Sequence, residues 1–332
     1  MLAVIILNWN GRRVMEEFLP SVVRYTSGAE VEVIVADNGS TDDSVEWLKK
    51  SYPSVRLIEF PENYGFAGGY DRAIREVNAE YTLLLNSDVE VTDGWWRPLL
   101  TFMKSHPEAG AVQPKIRSYR NKEFFEHAGA AGGMLDRMGY PYCRGRIMGR
   151  IERDTGQYDS DEAVRIAWAT GAAMLVRTRA YLEAGGLDEK FFAHMEEIDL
   201  CWRMMLKGYN IYALSSSVVY HLGGGALPYG NPRKTYLNFR NNLLMLHKNL
   251  PRKVGRRKLF VRRLADTLGF MFFLLQGKTG DAKAVIRAHN DFRRMRKEYF
   301  DFPAGNIMKE IPGTSRYIYI DFLLGKNEKK LQ

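Results

Sequence analysis

Short apolar runs alternate with amphipathic segments through the first 115 residues of the chain. Runs bounded by turn residues predict strands, over residues 3–7, 31–36, 55–60, 81–85 and 109–112. Apolar positions at helical spacing between the runs predict helices, over residues 14–25, 42–50, 67–77 and 95–106. This β-α-β-α order predicts an α/β fold with a mostly parallel sheet covered by helices on both faces.

The pattern changes in the second half of the chain. Residues 117–166 are irregular and rich in Gly, Arg and Tyr, which predicts loops and short hairpins over the site. Regular elements then return as predicted strands over 169–176 and 218–221 and predicted helices over 179–184 and 196–207. We therefore expect an α/β domain over residues 1–230 and a basic, mainly helical region over residues 231–332.

The charge distribution supports this division. Residues 1–230 contain 25 Lys and Arg against 31 Asp and Glu, whereas residues 231–332 contain 23 against 8. The chain has only two cysteines, Cys143 and Cys201, which excludes a disulfide framework or a Cys-rich zinc site. The first apolar run lacks the features of a signal peptide, and the run at 268–275 is far shorter than the roughly 20 residues of a spanning helix. We expect a cytoplasmic protein.

The basic region combines charge with an apolar patch. Residues 252–263 contain seven Lys and Arg, the Phe-rich run 268–275 follows, and residues 287–297 form another basic helical stretch. This pattern predicts peripheral attachment to an anionic membrane surface, on the inner face of the cell membrane. A helical bundle that packs on the first domain is the alternative. Nucleic-acid binding is disfavoured by the acidic first domain and the absence of a nucleic-acid motif.

Polar residues follow three of the predicted strands, at the sheet edge where such folds bind ligands. The first strand is followed by Asn8-Trp9-Asn10-Gly11, the second by Asp37-Asn38-Gly39-Ser40, and the fourth by Asn86-Ser87-Asp88. Asp88 could hold Mg²⁺ or Mn²⁺ against a diphosphate, and Asp37 could accept a hydrogen bond from a nucleotide base. Both aspartates are also typical turn residues, so a turn role stays open for each.

An acidic cluster begins the helix predicted at residue 196. Glu196 and Glu197 point about 100° apart on such a helix, and Asp199 reaches Arg203 at the i,i+4 spacing. The neighbouring Phe and Met side chains could raise the pKa of a carboxyl toward that of a general base. A solvated acidic helix start is the alternative, and Asp199 is equally suited to an ion pair.

Two further features carry weaker signals. His221 ends an apolar run beside a glycine-rich segment, which suits a metal ligand or a buried hydrogen-bonding histidine. The glycine turn at residues 65–69 precedes a helix and could hold phosphate on backbone N–H groups. It matches neither the dinucleotide fingerprint nor the P-loop.

The order of these blocks resembles glycosyltransferase family 2, notably its rhamnosyltransferase-like branch. The matching blocks lie within residues 3–225 and read VIILNWNG, VIVADNGSTDDS, ENYGFAGGYDRAI, YTLLLNSDVEV, ATGAAMLVR, GGLDEKFFAHMEEIDLCWR and VVYHLGGG. The resemblance implies the GT-A fold, which is Rossmann-like. It also implies an inverting, metal-dependent transfer of a sugar from a dTDP- or UDP-linked donor, with rhamnose as the branch's sugar. The implied acceptor is a hydroxyl of a glycan or lipid-linked molecule in cell-surface polysaccharide synthesis.

The resemblance also implies roles for individual residues. The residues that would bind the nucleotide sugar are Asn8, Asn10, Asp37, Asn38, Gly65, Gly68, Gly69, Asn86 and Ser87. Asp88, the last residue of a DxD-like triplet, would bind Mg²⁺ or Mn²⁺, with His221 near the same metal. Glu197 would be the general base and Glu196 would help to place the acceptor. Asp199 and Arg203 would support the helix.

Three departures from the family pattern affect these expectations. Asn86 replaces the first Asp of the triplet, which removes a carboxylate and weakens the expected metal site. Glu197 replaces the usual Asp, so that the base is one methylene longer, and Tyr70-Asp71 replaces Asn-Asn. A non-catalytic nucleotide-sugar-binding scaffold is the main alternative. A nucleotidyltransferase is disfavoured because the first loop lacks a triphosphate signature.

Overall fold

A computed structural model describes residues 1–126, 129–147, 149–223, 231–318 and 321. The strands are β1 Leu2–Asn8, β2 Val31–Asp37, β3 Arg56–Glu59, β4 Tyr81–Asn86, β5 Val89–Val91, β6 Ala109–Ser118, β7 Gly133–Leu135, β8 Pro141–Cys143, β9 Arg146–Ile147, β10 Arg150–Ile151, β11 Val164–Ile166, β12 Ala173–Arg177 and β13 Asn210–His221. The helices are α1 Arg12–Tyr25, α2 Ser44–Ser51, α3 Gly65–Glu76, α4 Trp96–Ser105, α5 Thr178–Glu183, α6 Glu196–Leu206, α7 Pro232–Asn249, α8 Arg252–Leu275 and α9 Thr279–Met295.

The central sheet has the strand order β11-β13-β6-β12-β4-β1-β2-β3, with β5 paired to β13. Strands β3, β2, β1 and β4 run parallel, β12 is antiparallel to both of its neighbours, and β6 and β13 are parallel to each other. The expected mostly parallel α/β sheet is therefore confirmed. Because β1, β2 and β4 are parallel neighbours, their carboxyl ends meet at one edge.

Helices cover both faces of this sheet. Along β1, Ala3 and Ile5 pack into one core with α3, α6 and α7, while Val4 and Ile6 pack into the other with α1 and α4. This alternation follows from the two-residue period of a strand. Both sets are fully buried or nearly so, which explains why the strand reads as a continuous apolar run.

Strand β13 differs from the sequence-based expectation, whereas the irregular segment 117–166 agrees with it. Strand β13 begins at Asn210, eight residues before the predicted start, because the segment pairs with β6 through a register shift between Leu214 and Val218. Its Ser215-Ser216-Ser217 stretch lies at this shift and has no register partner in β6, as in a β-bulge. The irregular segment 117–166 contains the predicted hairpins, as a small antiparallel sheet of β7 to β10.

The C-terminal helices pack on the α/β layers. Leu243 to Leu246 of α7 are buried in the same core as Ile198 and Trp202 of α6. This arrangement matches the bundle alternative for the basic region, and the division at residue 230 stays a prediction. Among the described residues, every helix is too short or too polar to cross a membrane.

Candidate active site

The ends of β1, β2 and β4 place three predicted residues side by side. Asn8 is the register partner of Asp37, and Asn86 is the register partner of Leu7 on the other side of β1. A parallel sheet presents such strand ends to one crevice, where α/β proteins bind ligands. The sequence-predicted nucleotide residues therefore share one edge of the sheet.

Asn8 and Asp37 form a buried hydrogen-bonded pair. Asn8 Nδ2 donates to Asp37 Oδ2 at 2.8 Å and to Ser40 Oγ at 3.1 Å. The second carboxylate oxygen of Asp37 accepts from the Ser40 backbone N–H at 2.8 Å, which is the turn role left open above. Asn8 Oδ1 is buried without a hydrogen-bond partner. The pair therefore retains one buried acceptor that a ligand N–H or O–H could satisfy.

Asn10 joins the loop after β1 to the loop after β2. Its backbone has a φ of 50°, in the left-handed region that few side chains other than Asn and Asp adopt. Its side-chain oxygen accepts from the backbone N–H groups of Thr41 at 2.7 Å and Asp42 at 3.2 Å. Asn10 thus fixes the two loops that flank the Asn8–Asp37 pair.

The glycine turn at the start of α3 is closely packed. A Cβ on Gly65 would lie 2.8 Å from the Phe192 ring, and one on Gly69 would lie 2.7 Å from the Leu7 side chain. Asn38 holds this turn, because its Nδ2 donates to the Gly65 carbonyl at 3.0 Å. Gly68 likewise lies against Tyr64.

The first N–H groups of α3 have a protein partner. The backbone N–H groups of Phe66 and Ala67 lie 3.2 and 3.5 Å from the Phe192 carbonyl oxygen. These two backbone N–H groups belong to the turn that the sequence predicts to hold phosphate, and the Phe192 carbonyl oxygen occupies them instead. The glycine turn therefore joins α3 to the loop before α6.

Asp88 and His221 meet because β5 pairs with β13. Val89, the first residue of β5, is the register partner of His221 at the end of β13. His221 Nε2 lies 3.0 Å from Asp88 Oδ1 and 3.3 Å from Asn86 Nδ2. Ser87 lies in the turn between Asn86 and Asp88, and it is half-buried. The structure thus brings the predicted triplet and the predicted histidine together.

Glu126 completes this group and was not predicted from the sequence. Its Oε2 lies 3.4 Å from His221 Nδ1, and the side chain is buried. Glu126 belongs to the irregular segment before β7, where no motif or periodicity marks it. A carboxylate on the second ring nitrogen fixes the tautomer and orientation of a metal-binding histidine.

The two carboxylates set the charge of this group. Burial alone would lower the pKa of His221, but its contacts with Asp88 and Glu126 raise the pKa to about 10. Burial alone would raise the pKa of Asp88, but the His221 contact holds it below the usual range. Asp88 is therefore ionised at neutral pH, and a bound cation would have to displace the proton that His221 Nε2 carries toward it.

The positions of Asp88 and His221 fit one divalent cation. Two ligands at right angles on an ion with bonds of about 2.1 Å lie about 3.0 Å apart, which is the separation of Asp88 Oδ1 and His221 Nε2. Glu126 faces the other ring nitrogen and cannot share that ion. Accordingly, the described residues contain no group of three or more His, Cys, Asp or Glu side chains arranged for a metal. Diphosphate oxygens and water would have to supply the remaining ligands.

A strained loop precedes the acidic helix α6. Phe192, His194 and Met195 have φ values of 66°, 68° and 73°, all in the left-handed region. Each such residue costs roughly 1–3 kcal/mol and persists only where surrounding contacts enforce it. Strain of this kind concentrates at functional sites, and this loop delivers Glu196 and Glu197.

Glu196 and Glu197 are poorly solvated acids. Each has a buried Oε2 without a hydrogen-bond partner. Burial raises the pKa of Glu196 well above its usual value, and the charge of Glu197 adds to this effect. Burial also raises the pKa of Glu197, to about 7. Glu196 is only 4% exposed, whereas Glu197 is partly exposed, so a ligand can reach Glu197 more readily.

Glu197 and Glu126 both act on the buried thiol of Cys143. The pKa of Cys143 is raised to about 11, first by burial and further by the negative charges of Glu126 and Glu197. Both carboxylates therefore lie near one thiol. Phe192 also contacts the start of α3, so the loop before the acidic pair adjoins the glycine turn.

Helix α7 fixes the strained loop from outside the predicted catalytic domain. Asn241 Nδ2 lies 3.0, 2.9 and 2.7 Å from the carbonyl oxygens of Phe191, Ala193 and His194. Arg240 Nη2 donates to the Phe191 carbonyl at 2.9 Å. Sequence spacing offers no signal for these contacts, because about 50 residues separate the partners.

Asp199 anchors the other side of α6. It is fully buried, and the predicted i,i+4 pair with Arg203 is present at 2.8 Å. Lys248 and Asn249 of α7 contact the same carboxylate at 2.9 and 2.7 Å. Burial alone would raise the pKa of Asp199, but Arg203 and Lys248 hold it below the usual range.

Comparison with characterised proteins places this geometry in a family. The model of Glycosyl transferase family 2 matches residues 3–174. N-acetylglucosaminyl-diphospho-decaprenol L-rhamnosyltransferase of Mycobacterium tuberculosis is 28% identical over 237 residues, covering 67% of this chain and 76% of the relative. The low-salt glycan biosynthesis hexosyltransferase Agl10 of Haloferax volcanii is 25% identical over 260 residues, covering 77% of this chain and 78% of the relative.

Solved structures share the fold at low sequence identity. TarS of S. aureus in complex with UDP-GlcNAc aligns with a TM-score of 0.57 and 17% identity, covering 88% of this chain and 80% of that one. Mannosyltransferase PcManGT of Pyrobaculum calidifontis, in complex with GDP-Man and Mn²⁺, aligns with a TM-score of 0.53 and 14% identity, covering 88% and 86%. The chain therefore belongs to glycosyl transferase family 2, and it is a glycosyltransferase with the GT-A fold.

Proposed function

We propose that this glycosyltransferase moves a sugar from a nucleoside-diphosphate donor to an acceptor hydroxyl with inversion at the anomeric carbon. The observation that carries the proposal is a pair of poorly solvated acids, Glu196 and Glu197, whose preceding loop contacts the glycine turn that Asn38 holds. A base with a pKa near neutrality is suited to removing a proton from a hydroxyl. Direct attack by that hydroxyl requires no covalent sugar–enzyme intermediate.

Glu197 is the proposed general base. Its pKa of about 7 leaves a useful fraction ionised at neutral pH, and its partial exposure lets an acceptor approach. Glu196 has its pKa raised further and is nearly inaccessible, which suits an uncharged acid that orients the acceptor or Glu197. The proton of the attacking hydroxyl thus passes to Glu197 as the new glycosidic bond forms.

Asp88 and His221 are the proposed holders of Mg²⁺ or Mn²⁺. Their 3.0 Å separation supports this assignment, and PcManGT is a structural neighbour solved with Mn²⁺. When bound, the cation supplies charge neutralisation for the leaving diphosphate. Glu126 would fix the His221 ring, and Asn86 would lie beside the same group.

The proposed donor is a dTDP- or UDP-sugar, with rhamnose as the first candidate. Asn8 Oδ1 is a buried free acceptor beside Asp37, at the strand edge where a base would bind. The mycobacterial relative is named for rhamnose transfer to a diphospho-decaprenol acceptor. We therefore propose a lipid-linked or glycan acceptor in polysaccharide synthesis, presented at the inner face of the cell membrane.

Calorimetric titration of dTDP-rhamnose, UDP-GlcNAc and GDP-mannose tests the donor and the metal together. We expect one nucleotide class to bind with Mn²⁺ or Mg²⁺, and to bind at least about tenfold more weakly in EDTA or in Asp88→Ala. Asp93→Ala is the matched control, because Asp93 is an exposed aspartate a few residues away. If no donor binds the wild type in either condition, the proposed donor site is wrong.

A further inference from the structure

Helix α8 carries an apolar surface that the catalytic site does not use. Seven of its exposed apolar side chains are Phe260 (66%), Val261 (47%), Leu264 (57%), Leu268 (73%), Met271 (49%), Phe272 (58%) and Leu275 (84%), and Leu274 (42%) borders them. Their spacing of three and four residues places them on one side of the helix, over about four turns. We call these seven residues the α8 stripe.

The opposite side of α8 is fixed against the protein. Gly255, Arg262 and Asp266 are its buried residues. Arg262 contacts both Asp266 and Asn242 of α7, and His289 of α9 lies 3.0 Å from Asp266. These buried contacts set the rotation of α8 about its axis. The α8 stripe therefore faces outward as a consequence of packing.

Exposed basic residues continue the same surface toward the start of α8. Lys253 and Arg257 lie seven and three residues before Phe260, on the side of the helix that carries the stripe. Arg256 and Arg263 are also exposed and flank that side. Residues 231–332 contain 23 Lys and Arg against 8 Asp and Glu. The surface is therefore both apolar and strongly positive.

The chain after α8 returns to the start of α7. Five residues after Leu275, Gly280 packs against Pro232 at the start of α7. Arg233, which follows Pro232, places its guanidinium 5.2 Å from the centre of the Phe192 ring. The start of α7 thus connects the end of α8 with the loop before Glu197.

We propose that the α8 stripe and its basic flank bind an anionic membrane surface, with the apolar side chains at the boundary between headgroups and acyl chains. A helix with one apolar side and several cations favours this position. Pairing of two copies through the stripe would bring two strongly positive regions together, whereas anionic lipid neutralises them. The binding is independent of the proposed chemistry, since it needs neither donor nor acceptor.

Vesicle flotation of the full chain tests the proposal. We expect the wild type to float with phosphatidylcholine vesicles that contain about 30% phosphatidylglycerol at low salt, and to remain unbound with phosphatidylcholine alone. Leu264→Glu/Leu268→Glu is expected to weaken binding by about 100-fold, because two apolar side chains that would be buried among the lipids become charged. Arg256→Gln/Arg257→Gln is expected to weaken it by about tenfold or more and to reduce its salt dependence.

Ile151→Glu/Leu182→Glu is the matched control, since both residues are exposed and apolar and belong to β10 and α5. This double variant is expected to float like the wild type. Sedimentation of each protein without vesicles tests the alternative that a second copy of the chain covers the stripe. A wild type that fails to float at low salt overturns the proposal. If only the α8 variant then changes from dimer to monomer, the stripe is instead an interface between two copies of the chain.

Discussion

The buried carboxyl groups of Glu196 and Glu197 lower the stability of the folded protein. Each has a buried oxygen without a hydrogen-bond partner, and burial raises both pKa values. A polar group left unsatisfied in this way destabilises a fold, typically by about 1–3 kcal/mol. The same desolvation brings the pKa of Glu197 to about 7, where a carboxylate is useful as a general base.

Replacement of Glu197 is therefore expected to stabilise the fold. An unfolded chain ionises this carboxyl near 4.5, whereas the folded protein keeps its proton up to about 7. The stability that the neutral acid contributes is present below the lower value and lost as pH rises through the higher one. We expect Glu197→Gln to gain about 1–3 kcal/mol over the wild type at pH 8, with little gain below pH 4.5.

Thermal unfolding of both proteins at the two pH values measures this difference. Glu46→Gln is the control, because Glu46 is an exposed glutamate on α2 and should show no gain at either pH. Equal gains at both pH values would mean that the effect of Glu197→Gln does not come from ionisation.

At this scale, the sequence predicts residues that end neighbouring strands. Asp88 could be predicted as a ligand residue because it follows a strand, whereas only the family resemblance placed His221 near the same metal. Glu126 could not be predicted, because it lies in an irregular segment and reaches His221 only through tertiary packing. Asp37 differs from both residues, because its carboxylate accepts a hydrogen bond from the Ser40 backbone N–H within the turn and is also a proposed ligand-binding group.

At the scale of elements, α7 supports the loop that delivers the acidic pair. Three residues of that loop have a left-handed backbone, and Asn241 contacts three of its carbonyl oxygens. The amide N–H groups of Asn241 supply donors to carbonyl oxygens of a loop that lies outside any α-helix. The strained conformation thus depends on an element outside the segment that matches the family model.

Asn241→Ala is expected to lower kcat by about 10- to 100-fold, because it releases the loop and misplaces Glu197. Donor affinity should change little, since Asn8, Asp37 and Asp88 are untouched. Steady-state kinetics and donor titration separate the two effects. Asn242→Ala is the matched control, because Asn242 is equally buried on the same helix but donates to the Gly139 carbonyl.

Both substitutions are expected to cost about 1–3 kcal/mol of stability. An equal loss of kcat in the two variants would show that general destabilisation, rather than the loop, is responsible. The sequence indicates that α7 is a helix but gives no sign of this role, since contacts separated by about 50 residues follow only from the tertiary fold.

At the scale of the whole molecule, the basic helical region shares a core with the sheet. Leu244 of α7 is fully buried beside residues of α6, whereas Leu268 of α8 is 73% exposed. The change of charge at residue 230 predicts two regions but not how they pack. Composition identifies α8 as basic and apolar, and only the packing of Arg262 and Asp266 shows which side faces outward.

Leu244→Ala is expected to lower the free energy of unfolding by about 2–5 kcal/mol, because it leaves a cavity in the shared core. Leu268→Ala should change it by less than about 0.5 kcal/mol. Urea unfolding followed by fluorescence and by circular dichroism measures both values, and we expect the two signals to coincide. Separate transitions would show that the two regions fold independently.

The pH dependence of sugar transfer by the wild type and Glu197→Gln tests the account most directly. We expect kcat/KM of the wild type to rise with pH through an apparent pKa of about 7, as Glu197 loses its proton. Glu197→Gln should bind the donor normally, lose about 10²- to 10⁴-fold in kcat and lose the rise with pH. A variant that keeps its rate and the same pH profile would show that Glu197 is not the base.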